Sequence, residues 1–368
     1  MFFISIFYFL FTLANVVTDN RIDDVLRDSD GAAARVIQSP PLAGDAAHDR
    51  IKNAAIMFAE NAVSESADPA SEPVGSPLEK LQVEVQGLII DYPVFFATVL
   101  PGEILNIQVI GRPDDADITF DTDLADGMLV DRMKLSWKAP DETELYTIKI
   151  SDDDSGEQIT INIFVLEPAT NIVDGKLNGY RIGQYPTKPL RNNRIYAAPL
   201  GFIEVTPELA DTRISPNFTV GQFLCKQATR AKAKYVVLRP ALILKLERLV
   251  ALLNARGIET DSLFIMSGYR TPFYNKSIGN VQYSRHVYGD AADIYVDYQP
   301  RDGEMDDING DGVVNRRDAA FLFDLVDEFE RDEVNLAIRG GLGEYDRNAV
   351  RGPFVHVDVR GVPARWGR

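Results

Sequence analysis

Three histidines occur in the 368 residues, His48, His286 and His356, so imidazole chemistry has few homes in this chain. His286 and His356 fall in SRHVYGDAADIYVD (284–297) and FVHVDVR (354–360), both beside β-type runs and both among acids. In the first stretch Asp293 follows His286 with Gly289 between them, so a tight turn can return a loop histidine to an aspartate at the start of a strand. In the second, alternation puts Val355, Val357 and Val359 on one strand face and His356, Asp358 and Arg360 on the other. If the valine face is buried, His356 points into a site. Two histidines and one carboxylate, with a fourth position left to water, form the ligand set of a hydrolytic zinc centre, where the metal lowers the pKa of that water toward ~7. Taken singly, a strand histidine is more often structural than a ligand. His48, beside Asp49, has no second ligand pattern near it and reads as an exposed residue.

The ordered motifs extend this pattern: SGYRT (267–271), SRHVYGDAAD (284–293) in the form SxHxxGxAxD, GLGEY (341–345) in the form GxGxY, FVHVD (354–358), and a closing Arg365-Trp366. Together they resemble the zinc D-alanyl-D-alanine carboxypeptidases and murein endopeptidases that share a fold with the hedgehog signalling domain. The motifs span Ser267 to Trp366, and the resemblance extends from about residue 200. It implies an α+β domain around a central antiparallel sheet, zinc held by His286, Asp293 and His356, and hydrolysis of peptide bonds in peptidoglycan peptides. Arg270 matches the motif arginine that would polarise the scissile carbonyl and stabilise the oxyanion, and Ser284 matches a serine that contacts substrate. Many relatives carry a catalytic histidine two residues before the last zinc ligand, or a glutamate three before it. Phe354 and Pro353 stand at those positions here, and neither can move a proton. The general base then falls to Asp358, on the strand face of His356, or to Glu344. Asp358 reads equally as a partner that orients a zinc-bound histidine, and Glu344 as an exposed loop acid. The alternative function is a non-catalytic module that keeps the fold and the metal and binds wall peptides or a protein.

A second metal motif lies between the zinc motifs. DINGDGVVNRRD (307–318) offers oxygens at Asp307, Asn309, Asp311 and Asp318, a backbone carbonyl at Val313, and Gly312 at the sharp turn. That spacing matches a calcium loop whose last acid is aspartate, as in dockerin-type loops, with a helix expected over AAFLFDLVDEFE. A dockerin uses two such loops, and this chain has one, so a structural calcium is expected rather than a docking role.

These groups need elements to hold them. PALILKLERLVALLNARG (240–257) has apolar residues at helical spacing, proline at its start and glycine at its stop, and predicts a core helix. SLFIMS (262–267) predicts a strand that delivers SGYRT to a sheet end. The peptidase-like domain is expected over 169–368, with the calcium loop 307–318 as an insert. Before it, short β-type runs such as ILNIQVI and ITINIFVL, separated by GRPDDAD and SDDDSGE, predict an immunoglobulin-like β-sandwich over 79–168. Such a module could serve as a spacer or bind the wall or a cell-envelope protein partner. Residues 19–78 are rich in Ala, Asp, Ser and Pro and read as a disordered linker, with a short helix expected over 49–63. The uncharged apolar run Met1–Ala14 reads as the core of a signal peptide or short anchor over 1–18, which predicts an exported, cell-envelope protein.

Composition bounds the rest. The net charge of -17 argues against nucleic acid, which would need a positive surface. Residues 101–160 carry 15 acids and 5 bases, a net of -10 that reads as a solvated acidic face. Cys225 is the single cysteine, so no internal disulfide or cysteine-rich metal site can form.

Overall fold

The computed structural model describes residues 80–122 and 127–368. The expected signal peptide or anchor (1–18), the linker (19–78), the helix at 49–63 and His48 lie outside the described residues. The described chain is α+β, with several sheets and few helices. Among the described residues no helix is long and apolar enough to cross a membrane.

The first strands form two sheets. One is ordered β2-β1-β4-β7-β6, from β1 (Gln82–Val85), β2 (Leu88–Ile90), β4 (Ile104–Ile110), β6 (Met128–Asp131) and β7 (Lys134–Lys138), and all its pairs are antiparallel. The other is ordered β3-β9-β8-β5, from β3 (Val94–Val99), β5 (Ile118–Thr122), β8 (Leu145–Asp152) and β9 (Glu157–Val165), with β3 and β9 parallel. Alternation builds their buried faces: Leu105, Ile107 and Val109 on β4 and Ile159, Ile161 and Ile163 on β9 are buried, with polar residues between them. Trp137 on β7 meets Tyr146 on β8 at 5.3 Å between ring centroids, so the two sheets touch through their aromatic residues. Arg112 closes one end by bonding buried Asp152 and Glu157.

Two small sheets follow. One joins β10 (Glu167–Pro168), β13 (Gly201–Val205) and β14 (Lys234–Val236); the other joins β11 (Lys176–Leu177) and β12 (Tyr180–Arg181). Helix α1 (Pro240–Ala255) starts on its proline and buries Leu242, Leu246, Leu249 and Leu253 along one face. Gly257 ends it at φ +79°, and the Ile258 amide caps the Leu253 carbonyl.

The sheet that matters for chemistry is ordered β15-β16-β18-β17-β19: β15 (Phe264–Ser267), β16 (Ala291–Tyr295), β17 (Gly341–Tyr345), β18 (Phe354–Asp358) and β19 (Ala364–Trp366). The expected antiparallel sheet needs one amendment, because β19 joins β17 in parallel. Short α2 (Pro272–Ser277) follows the SGYRT turn, and α3 (Arg316–Phe329) follows the calcium-type loop and lies against β17 and β18. Val355 and Val357 are buried on one face of β18, which leaves His356 on the other.

A buried ion pair ties these layers together. Lys245 of α1 is fully buried; it bonds Glu330, just past α3, and donates to the Asp358 carbonyl at the end of β18 at 2.8 Å. Arg365 of β19 donates to the other Glu330 oxygen at 2.6 Å. Removing one member of such a pair strands the other charge, which typically costs about 3–5 kcal/mol, whereas replacing both by apolar groups is often close to neutral. Glu330→Gln should therefore destabilise the protein by roughly that amount in urea denaturation, and Lys245→Met with Glu330→Leu should recover most of the loss. An unchanged midpoint for the single variant would count against the network.

Candidate metal centre

Strand register assembles the centre. Ser267 pairs with Asp293, Asp293 with His356, His356 with Gly343, and Gly343 with Trp366, so one row crosses all five strands. Residues opposite one another in a sheet share a face. The row therefore places Asp293 and His356 side by side. Gly343 makes room in it, because a Cβ there would lie 2.2 Å from Trp366 Nε1. The Trp366 ring instead packs against His356 at 5.2 Å.

His286 comes from outside the sheet, on the 3-10 turn Arg285–Tyr288. Gly289 ends that turn at φ +70°, where a Cβ would stand 2.2 Å from the Val237 carbonyl oxygen. Both the conformation and the space demand glycine. Arg285 and Asp290 form a buried ion pair across the turn, with Nε to Oδ1 at 3.0 Å. The Arg270 amide donates to the His286 carbonyl at 3.1 Å, which fixes the turn against the SGYRT segment.

Three donor atoms converge. His286 Nε2 lies 3.2 Å from Asp293 Oδ1 and 3.1 Å from His356 Nδ1, and His356 Nδ1 lies 2.9 Å from Asp293 Oδ1. All three residues are buried. Zinc bonds of about 2.0–2.1 Å in tetrahedral geometry separate neighbouring ligands by roughly 3.3 Å, so this triangle fits such an ion with a modest expansion. Each remaining polar atom has a partner that fixes its ligand. His286 Nδ1 donates to the Gly268 carbonyl at 2.7 Å, which leaves Nε2 with its lone pair for a metal. His356 Nε2 faces Asp358 Oδ2 at 3.3 Å, and Asp293 Oδ2 accepts from Arg270 Nη2 at 2.5 Å. Among the described residues this is the group of three or more His, Cys, Asp or Glu side chains that gathers around one point.

The sequence-derived candidates separate in space. Arg270 and Ser284 line the cavity with the His–Asp–His triangle, and the Arg270 Nε also donates to Ser267 Oγ at 2.9 Å. Asp358 sits behind His356 and is fully buried. Its oxygens accept from the Gly341 amide at 2.7 Å, the Arg360 amide at 3.0 Å and the Arg360 guanidinium. Its contacts are those of a group that holds His356, and its oxygens are engaged by these donors. Glu344 lies on β17 rather than on a loop, and it does not line this cavity. It pairs in register with Val355, on the opposite face from His356, and bonds Arg316 at 2.6 Å and Arg368 at 3.1 Å. The cavity wall includes one carboxylate, Asp293.

The calcium-type loop is differently organised. Asp307 accepts from the Gly310, Asp311 and Gly312 amides, and Asp311 from the Val313 amide. Asp318 accepts from the Asn309 side chain at 2.8 Å and caps α3 through the Asn315 amide at 2.9 Å. Its acids do not converge as the His–Asp–His group does.

Motif residues to which the sequence assigned no role in the site complete the wall: Tyr345 and Phe354 stack at 4.5 Å, and Trp366 Nε1 donates to Tyr345 Oη at 2.8 Å. Strand alternation places Phe354, two residues before His356, on the same face; its cross-strand partners are invisible without the register.

Electrostatics distinguish the two histidines. Burial and the Arg270 charge hold His286 below its ordinary pKa. Burial also acts to lower His356, but hydrogen bonds to Asp293 and Asp358 outweigh it and raise the group to about 9. Asp293 is held well below the carboxylate range, since His286 and Arg270 overcome its burial. In the metal-free protein His356 thus carries a proton below pH about 9, and a metal must displace it. Metal affinity should rise about tenfold per pH unit up to that value, measured by chelator competition between pH 6.5 and 9. The sign for metal-free stability is opposite: the His356 contribution is complete below about 6.5 and is lost as pH climbs through about 9. A pH-independent affinity would contradict this arrangement.

Residues 216–307 match the family model described as Peptidase M15. The matched segment contains α1, β15, the SGYRT turn and β16, and so includes His286 and Asp293, while His356 lies beyond it. No curated protein matches the chain. The matched segment carries two of the three converging donors, so the C-terminal region of this chain contains a domain similar to the peptidase M15 family.

Proposed function

We propose that the chain is a zinc-dependent peptidase that hydrolyses peptide bonds in peptidoglycan stem peptides or cross-links. The observation that carries this reading is the convergence of His286 Nε2, Asp293 Oδ1 and His356 Nδ1 at the wall of a cavity of about 700 Å³. Zinc held by His286, Asp293 and His356 would supply a water of lowered pKa and would polarise a carbonyl. The protein's own groups supply position. Gly268 and Asp358 fix the two imidazole rings, and Asp293 is held by Arg270. Arg270, anchored by Ser267 and Asp293, would stabilise charge developing on the carbonyl oxygen, and Ser284 would contact the substrate backbone. Because Asp358 is engaged and Glu344 is on the opposite face, no dedicated carboxylate base is assigned.

That last point also favours a second reading, a module that binds zinc and wall peptides without cleaving them. Mass spectrometry of the products from cross-linked muropeptides separates the two. New peptide termini that need the metal support the peptidase; retention of intact muropeptides by the zinc-loaded protein supports the binding module. His286→Ala and His356→Ala should each lose stoichiometric zinc together with any cleavage, and a variant that keeps its zinc would remove that residue from the ligand set.

The apolar start of the chain supports an exported, cell-envelope location. The two sheets preceding residue 167 suit an immunoglobulin-like spacer or a wall- or partner-binding unit. The spacing of Asp307, Asn309, Asp311, Val313 and Asp318 supports a structural calcium ahead of α3. EGTA should then lower the melting temperature, and millimolar calcium should restore it. Identical melting curves with and without calcium would end that reading.

A further inference from the structure

Two turns meet at the metal centre. One carries Gly268, Tyr269 and Arg270 out of β15, and the other carries Arg285, His286 and Val287. Direct bonds join them, from His286 Nδ1 to the Gly268 carbonyl at 2.7 Å and from the Arg270 amide to the His286 carbonyl at 3.1 Å. A third link passes through a side chain from elsewhere. The Tyr185 hydroxyl donates to the Val287 carbonyl at 2.9 Å and stands 2.9 Å from the Tyr269 hydroxyl. A phenol has one hydrogen to give. Since Tyr185 gives its own to Val287, it accepts from Tyr269. One oxygen atom therefore bridges the residue beside the ligand His286 and the residue beside Arg270.

Tyr185 lies 84 residues before Tyr269 and 102 before Val287, on the stretch between β12 and β13. That stretch is fastened to the histidine turn and its approach at further points. Arg285 Nη1 donates to the Ile195 carbonyl at 3.0 Å, and the Tyr283 hydroxyl donates to the Lys188 carbonyl at 3.1 Å. The Tyr185 ring packs against Tyr288 at 6.0 Å and Phe202 at 6.5 Å between centroids. Packing thus belongs to the ring, and bridging to its oxygen. Val287 and Tyr269 are buried, so loss of the bridge leaves a carbonyl and a hydroxyl without partners in the interior. Such groups are relieved by a shift of one turn, and either shift moves His286 or Arg270. Burial raises the Tyr185 and Tyr269 phenols far above their ordinary pKa, so both keep their hydrogens.

We infer that Tyr185 is a positioning residue, whose hydroxyl sets the spacing between the His286 turn and the Arg270 turn and so the aim of His286 Nε2 at a metal. The inference deepens the reading of the His–Asp–His group as a zinc centre, and rests on it. Tyr185 does not line the cavity; it acts through Val287 and Tyr269.

The test loads the full chain and its Tyr185→Phe variant with zinc or cobalt(II) alone. Phenylalanine keeps the ring and removes only the oxygen. Zinc affinity, read by chelator competition on the folded protein, should fall about ten- to a hundredfold, as when other groups that hold a metal ligand are removed. The visible absorption of bound cobalt should also change, because it follows ligand geometry. A loss of stability alone moves neither the cobalt spectrum nor the affinity of the folded fraction. Tyr269→Phe keeps the bond from Tyr185 to Val287 and removes the other half of the bridge, so it should show both changes at smaller size. A parental zinc affinity or a parental cobalt spectrum in Tyr185→Phe overturns the inference and leaves the zinc-centre reading in place. Should that variant not fold, Tyr269→Phe decides by the same two readouts: changes in both uphold the inference, and a parental value of either overturns it. A parent protein that binds neither ion overturns the inference and the zinc-centre reading together.

Discussion

His356 is gripped at both ring nitrogens, and the rest of the site depends on that grip. Nδ1 faces Asp293 and His286, Nε2 faces Asp358, and Trp366 covers the ring. Asp358 is in turn fixed by the Gly341 amide and by Arg360, while its carbonyl takes the buried Lys245 ammonium. The imidazole orientation is therefore set by helix α1, the residue that follows α3, and two neighbouring strands. The Lys245–Glu330 pair, which is not part of the cavity wall, is thereby linked to the orientation of His356. Partners of this kind usually tune both the geometry and the basicity of a metal ligand.

The glycines of the motifs are the other half of the same constraint. Gly289 lets the histidine turn fold down against Val237, and Gly343 lets the Trp366 indole cross its strand beside His356. Neither residue performs chemistry. Each removes one side chain where the backbone or a ring must pass, so the motif spacing encodes packing as much as reactivity.

Much of this was legible in the sequence. The valine alternation on β18 assigned His356 to the row opposite the valines, the Pro–Gly punctuation bounded α1, and the motif order brought His286, Asp293 and His356 to one place. What escaped was anything that depends on cross-strand register. Glu344 looks eligible as a base in one dimension, but its register with Val355 sends it to the α3 side, where Arg316 and Arg368 hold it. Asp358 shares the histidine's face, as alternation requires, yet burial and Arg360 leave it no opening to the cavity. The stack of Tyr345 on Phe354 is likewise a product of neighbouring strands, and no local pattern announces it.

The central claim is that three atoms, His286 Nε2, Asp293 Oδ1 and His356 Nδ1, hold one zinc ion. Anomalous diffraction at the zinc edge from crystals of the metal-loaded protein tests it most directly. The account predicts a single strong peak in the cavity, about 2.0–2.2 Å from each of those three atoms. A peak bound through His356 Nε2, or one centred away from the row that joins Asp293 to His356, would contradict it.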